Sequence, residues 1–455
     1  MSFIDLKFLF VFLPVVLIVS FVVKGRVKEI LLLIASLCFY YINSDLTIVL
    51  LLISVVLTIL IGKAISDEQK KKNKLILLIF GVSLNVLVLV GYKVYNRFDE
   101  NVLIPLGLSF LTFKSISYLV DIYNEKVDHT NPIHDALYLS IFTQIQSGPI
   151  SRYNDFENIT EKEDIWKYRI DGIYRFFVGL GKKVLIADVL AKIVNEIFNS
   201  SVDTLSSSYA WLGSICFSLQ LFYDFAGYSD MAIGLTEFLG YKCKENFVYP
   251  YMTENISSFW RRWHISLSEW FRDYIYIPLG GSRKGKCRVY FNLFVVWILT
   301  GLWHGLSLNF VIWGLGYFIL ISFERLSGIT KRLKTKPAKI IYRVFSLFFI
   351  NIEWVIFKAK SASHAFSYIA RMFYSPDNSA DKRTLLLLND YWLFIVLAVL
   401  FCFPIIPTLE KKLEDKSSLK KAYDIVYGIV LIIGFVLAVS FIISGQNNPF
   451  AYGNF

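Results

Sequence analysis

Two of the five histidines in this 455-residue chain lie between Phe259 and Tyr317. One closes Trp260-Arg261-Arg262-Trp263-His264. The other sits in Leu302-Trp303-His304-Gly305, inside an apolar run from Val289 to Phe323. An ionisable side chain in such a run is costly to bury, and by default it marks function. A neutral imidazole there can act as a general base on a hydroxyl. No Ser, Asp and His spacing suggests a triad, and no histidine cluster suggests a metal, so no metal site is expected. Read as one helix, Trp260 to Phe271 puts Trp260, Trp263, His264, Leu267 and Trp270 on one face. Arg261, Arg262, Glu269, Arg272 and Asp273 occupy the remainder. Two accounts stay open: an interfacial helix with an aromatic belt, or one wall of a tunnel with His264 facing in.

Other motifs carry weaker chemistry. Pro278 to Lys286 is a Gly-rich basic loop with Arg283 and Lys284 at its tip. Its backbone N–H groups and cations could surround a phosphate, although a topogenic basic loop is the simpler account. Walker spacing is absent. Gly301 and Gly305 form a small-xxx-small pair suited to close helix packing. Asp224 and Asp230 flank an aromatic turn at a membrane end, where structural capping is the favoured role. His129 and His134 read as solvated loop residues, and the five scattered cysteines as free thiols.

The elements that must position these residues are membrane helices. The chain is 55% hydrophobic with mean hydropathy +0.53, and apolar runs of spanning length recur throughout. A soluble domain is excluded. The first run, Phe8 to Val23, reads as a retained span, since no cleavage site follows. The net charge of +11 comes from short basic loops, the positive-inside pattern, and not from a nucleic-acid-binding domain. Lys24 to Lys28, Lys70 to Lys74, the Arg325–Lys339 segment and Glu410 to Lys421 then fall on the cytoplasmic side, with both termini outside. The expectation is an all-α polytopic protein, one integral-membrane domain over 1–455, with about ten or eleven membrane helices. Re-entrant or interfacial pieces are expected at Ala136–Ile150 and Tyr168–Val189. Val102–Tyr123 should be broken near Pro105 and Gly107 or buried among other helices. Val289–Leu302 and Leu306–Phe323 should form a hairpin, or a broken helix pair, with His304 near its apex. No internal repeat is evident.

Taken together, these residues resemble the membrane-bound O-acyltransferase family, in particular its bacterial alginate O-acetyltransferase branch. The resemblance rests on Ile104 to Phe110, Ser117 to Tyr123, Ser147 to Ile150, Tyr223 to Gly234, Phe259 to Ser268, Arg272 to Gly281 and Gly301 to Gly305, in order, with the core motifs inside 100–325. It implies a helical bundle around a central tunnel. His304 then matches the family's intramembrane histidine and His264 its second histidine. Related D-alanine exporters of teichoic acid synthesis share the Trp-rich histidine motif but typically lack the Ile277–Gly285 continuation.

The resemblance implies an enzyme that passes an acetyl, or other short acyl, group from a cytoplasmic thioester toward a hydroxyl of an extracytoplasmic cell-surface polysaccharide. Acetyl-CoA or an acyl carrier protein would be the donor, as substrate and not as bound cofactor. Trp260, Arg261, Arg262, Trp263, Asp273, Arg283, Lys284 and Trp303 are the donor- or substrate-binding candidates. A separate hydrolase-like acetyltransferase outside the membrane would complete transfer. The setting would be a bacterial cytoplasmic membrane, in contact with its lipids. Direct transfer and an acyl-histidine intermediate both remain open. So do D-alanyl transfer to teichoic acid, a transporter using His304 in a proton relay, and a non-catalytic scaffold.

Overall fold

A computed structural model describes residues 1–44, 47–99, 104–127, 131–160, 164–375 and 382–450. Val102 and His129, which enter the expectations above, lie outside the described residues. Helices make up 79% of the chain, and among the described residues the only extended pairing is an isolated bridge between Asn158 and Tyr241. The fold is therefore all-α. Among the described residues, seven helices are long and apolar enough to cross a membrane: Gly25–Ser44, Ile48–Asp67, Lys71–Phe98, Leu308–Ser327, Lys336–Lys358, Lys382–Leu400 and Ser418–Ile443. Their outward faces are apolar, as at Leu87, Ile341 and Ile425. Such exposure suits lipid and would be a liability in water. This is a multi-pass membrane protein.

The inner scaffold is a different kind of helix. Ser207–Phe238 buries 25 of its 32 residues and is apolar on every side, the pattern of a helix surrounded by protein. Its first half packs into the core that holds His264 and His304, and its second half into a core built on the N-terminal helices. Ile165–Gly181 lies along it at very close range. A Cβ on Gly179 would stand 2.6 Å from the Gly227 carbonyl, and one on Gly227 2.8 Å from the Gly179 carbonyl. Only glycine permits this approach.

This arrangement corrects three expectations. Tyr168–Val189 is not an interfacial segment: Lys183 is 1% exposed and bonds Asp188 and Asp224, both at 2.7 Å. Burying that ammonium is tolerable because two carboxylates surround it. Asp224 and Asp230 do not flank a terminal turn but sit mid-helix. Asp224 holds Lys183, while Asp230 takes Arg175 and Lys182. His134 is not a solvated loop residue. It opens the Pro132–Ser140 helix, with its Nδ1 2.7 Å from Glu29 Oε1.

Other expectations hold. Leu108–Tyr123 begins after Gly107 and is buried on nearly all faces. Lys286–His304 and Leu308–Ser327 form the expected hairpin, with His304 as the last residue of the first arm. The five cysteines are free.

Candidate functional site

His264 does not lie within a helix. The stretch expected as one helix is broken into Ile256–Trp260, a turn, Ile265–Phe271 and a wider coil at Arg272–Tyr276. His264 occupies the turn with φ 45° and ψ 54°, a left-handed conformation that a residue with a Cβ adopts at a cost of order 1 kcal/mol or more. Neighbouring structure holds it there. Ile265 N–H donates to the Asn246 carbonyl and Val248 N–H to the Arg262 carbonyl, both at 3.0 Å. Glu324 anchors the upstream helix by accepting from the backbone of Ile256 and Ser257. Trp270 Nε1 donates to the Phe113 carbonyl at 3.0 Å, tying the downstream helix to Leu108–Tyr123. The face prediction survives the break, since Trp263, His264, Leu267 and Trp270 are all buried.

The surrounding hydrogen bonds fix the His264 tautomer. Asn246 Oδ1 accepts from the Ser266 backbone N–H at 3.3 Å and the Ser266 hydroxyl at 2.8 Å. A backbone N–H can only donate, so the side facing it is the amide oxygen. That same oxygen stands 3.0 Å from His264 Nδ1. Nδ1 must therefore carry the hydrogen, leaving the lone pair on Nε2. Asn246 Nδ2 donates to Ser229 Oγ at 3.0 Å, which anchors the amide to the central helix. Ser266 Oγ also receives the Ile150 N–H at 3.1 Å, so the Ser147–Ile150 motif joins the same network.

His304 is held by shape. Its ring centroid lies 5.0 Å from both Trp313 and Phe357, each edge-on, and 4.5 Å from Trp303. The hairpin apex is pinned by Asn309, whose Nδ2 donates to the Ile356 and Ala359 carbonyls at 3.3 and 3.0 Å. Gly301, one turn before His304, lets the two arms meet: a Cβ there would be 2.5 Å from the Phe310 carbonyl. Trp303 stands between the two imidazoles, 4.5 Å from His304 and 6.3 Å from His264.

A cavity of about 260 Å³ opens next to the aromatic shell, lined by Trp260, Leu267, Phe271, Arg272, Tyr276, Trp297 and Thr300, with neither histidine in its wall. Thr300 is one turn from His304. The lining is mostly apolar, which suits a slender organic chain and not a highly charged group.

The other candidates divide. Trp260, Trp263 and Trp303 belong to the aromatic shell around the site, with Trp260 packed on Trp297 at 4.8 Å and Trp263 on Trp354 at 4.9 Å. Arg261 is exposed, and Arg262 contacts the Val248 carbonyl at 3.5 Å. Asp273 is bound by Arg152 and Arg272. Burial pushes its carboxyl up, but the Arg272 hydrogen bond and the charges of Arg152 and Arg272 outweigh this and hold it below the usual range. It is a structural carboxylate in an ion network. Arg283 and Lys284 are exposed before a 19-residue helix that ends at His304, so about 27 Å separates that loop from the imidazole. Asn246 and Lys93, which donates to the Trp303 carbonyl, carried no motif. Asn246 lies in the polar Lys242–Arg288 stretch that cannot cross lipid as ordinary helix, and Lys93 directly follows an apolar run ending at Tyr92.

Comparison with known proteins bears on this arrangement. Residues 35–363 match the MBOAT, membrane-bound O-acyltransferase family. The chain is 36% identical to a probable alginate O-acetylase of Pseudomonas putida, over 80% of this chain and 79% of that protein. It is 34% identical to a peptidoglycan O-acetyltransferase of Helicobacter pylori, over 80% and 78%. A teichoic acid D-alanyltransferase of Bacillus subtilis is 31% identical over 58% and 71%.

Proposed function

The chain belongs to the membrane-bound O-acyltransferase family, and from that premise we propose that it passes an acetyl group from a cytoplasmic thioester toward a hydroxyl of an extracytoplasmic cell-surface polysaccharide. That it is an acyltransferase follows from the family and its named relatives. The observation that supports the finer reading is that two buried imidazoles both contact Trp303, near an apolar cavity whose wall includes Thr300, one turn from His304.

In this reading the acyl arm of acetyl-CoA or of an acyl carrier protein enters past Arg272 and Tyr276 and lies along the cavity. The cytoplasmic basic loop with Arg283 and Lys284, and Arg261 and Arg262 nearby, meets the donor's phosphates or acidic surface. His304 takes the proton of the acceptor hydroxyl. The hydroxyl oxygen then bonds to the thioester carbonyl carbon, the C–S bond breaks, and the thiolate leaves with that proton. His264, with its lone pair on Nε2, orients the donor or shares the proton. A separate extracytoplasmic partner resembling a hydrolase delivers the acetyl group to the polymer. Both termini lie outside.

The test is His304→Ala in the native host, with protein level and membrane insertion verified, reading polymer-bound acetate released by mild base. General-base catalysis contributes about 10²–10⁴-fold, so ester should fall by at least 100-fold. Wild-type ester levels in the variant would overturn the assignment of His304. The Bacillus subtilis relative supports one second reading, D-alanyl transfer. Base-released D-alanine in place of acetate would establish it.

A further inference from the structure

We propose that Lys93 is a catalytic residue of this site, an ammonium that stabilises the oxyanion formed when the acceptor hydroxyl attacks the acyl carbon. The proposal rests on the reading of His304 given above. Lys93 lies near the far end of Lys71–Phe98, a helix that otherwise packs on Ile48–Asp67 and Leu108–Tyr123 and turns much of its surface to lipid. Its start is a basic cluster, as is the start of Lys286–His304. The two helices run outward together, so Lys93, about 33 Å from one start, meets Trp303, about 26 Å from the other. Lys93 Nζ donates to the Trp303 carbonyl, a contact spanning 210 residues of sequence.

Three features separate this cation from a surface lysine. It makes no ion pair with any described carboxylate. Its side chain turns inward to the helix that carries His304 when a lysine at this depth could extend to the interface. And it sits at a helix C-terminus, where about half a negative charge accumulates on unsatisfied carbonyls. An oxyanion formed beside His304, the residue after Trp303, would be repelled by that charge. An ammonium there cancels the repulsion, and its two other N–H groups remain to donate to the new oxygen.

The step balances without another reactant. The hydroxyl proton passes to His304, the acceptor oxygen bonds to the carbonyl carbon, and the carbonyl π electrons move onto oxygen beside Lys93. Their return expels the thiolate, which receives the proton from His304. Lys93 keeps its own protons throughout.

The experiment compares the wild type with K93M, K93Q, K93R and H304A in membrane vesicles from the native host. Initial rates of labelled acetyl transfer from acetyl-CoA to polymer are normalised to inserted protein. Loss of one oxyanion donor costs about 10²–10³ in kcat, so K93M should fall at least 100-fold while its KM for acetyl-CoA stays within about threefold. Glutamine retains a donor for the Trp303 carbonyl but no charge. K93Q should therefore be as slow as K93M, and K93R should recover to within about tenfold of the wild type. A mere helix cap predicts instead that K93Q works normally. Near-wild-type kcat in either neutral variant, with H304A inactive, overturns the role of Lys93 and leaves that of His304 standing. Undiminished transfer in H304A removes both. If K93M fails to insert, K93Q and K93R still decide between charge and cap.

Discussion

The two histidines are buried alike but held by opposite means. His264 stands in a strained turn, and three polar groups, Asn246, Ser229 and Ser266, fix which of its nitrogens carries hydrogen. His304 ends a regular helix, and Trp303, Trp313 and Phe357 pack against its ring. Hydrogen bonds specify a tautomer. Aromatic packing specifies a position. On this comparison His304 is the group kept in one place, and His264 the group kept in one form.

The comparison can be broken at either end. Asn246→Leu removes the acceptor that holds His264 Nδ1–H and leaves a donor unsatisfied in the core. Acetyl transfer should fall about 100-fold, within the range for misplaced acid–base groups. Asn246→Asp keeps an acceptor but adds a negative charge, which favours imidazolium. The base form is then lost at a higher pH, so the acid limb of the pH–rate profile should move upward with a milder fall at its optimum. An unmoved profile in Asn246→Asp with full activity in Asn246→Leu would show that tautomer control of His264 is irrelevant.

Gly301→Ala tests the packing side. Its methyl must displace the Phe310 backbone, at a cost of about 1–3 kcal/mol. We expect a lower unfolding temperature in detergent and activity reduced about tenfold as His304 shifts. Unchanged melting and activity would mean that the hairpin yields easily and shape does not hold the ring. The smallest effect belongs to Arg283→Ala with Lys284→Ala. These exposed charges are worth well under 1 kcal/mol each, so KM for acetyl-CoA should rise a few-fold with kcat unchanged. A fall in kcat would place that loop nearer to the chemistry than its distance from His304 suggests.

Much of this was readable in the sequence. Apolar runs predict membrane helices because bilayer thickness sets their length, and the Val289–Phe323 run predicts a hairpin because His304 and Gly305 interrupt it. The resemblance selected both histidines. Periodicity mispredicted Trp260 to Phe271, since a helical face and a turn packed against Asn246 bury the same residues. Lys182 and Lys183 suggested an interface because a sequence does not reveal that Asp188, Asp224 and Asp230 will meet them.

The sequence by itself determined that this chain must live in lipid as helices. Twenty apolar residues have no other way to satisfy their backbone polar groups there. It also determined that one imidazole, that of His304, falls inside an apolar run. Tertiary structure decided what the two imidazoles can do. The His264 tautomer depends on an amide 18 residues away, and a lysine 210 residues from Trp303 supplies the charge beside His304. Such contacts are set by which helices pack together, and local patterns carry no record of them.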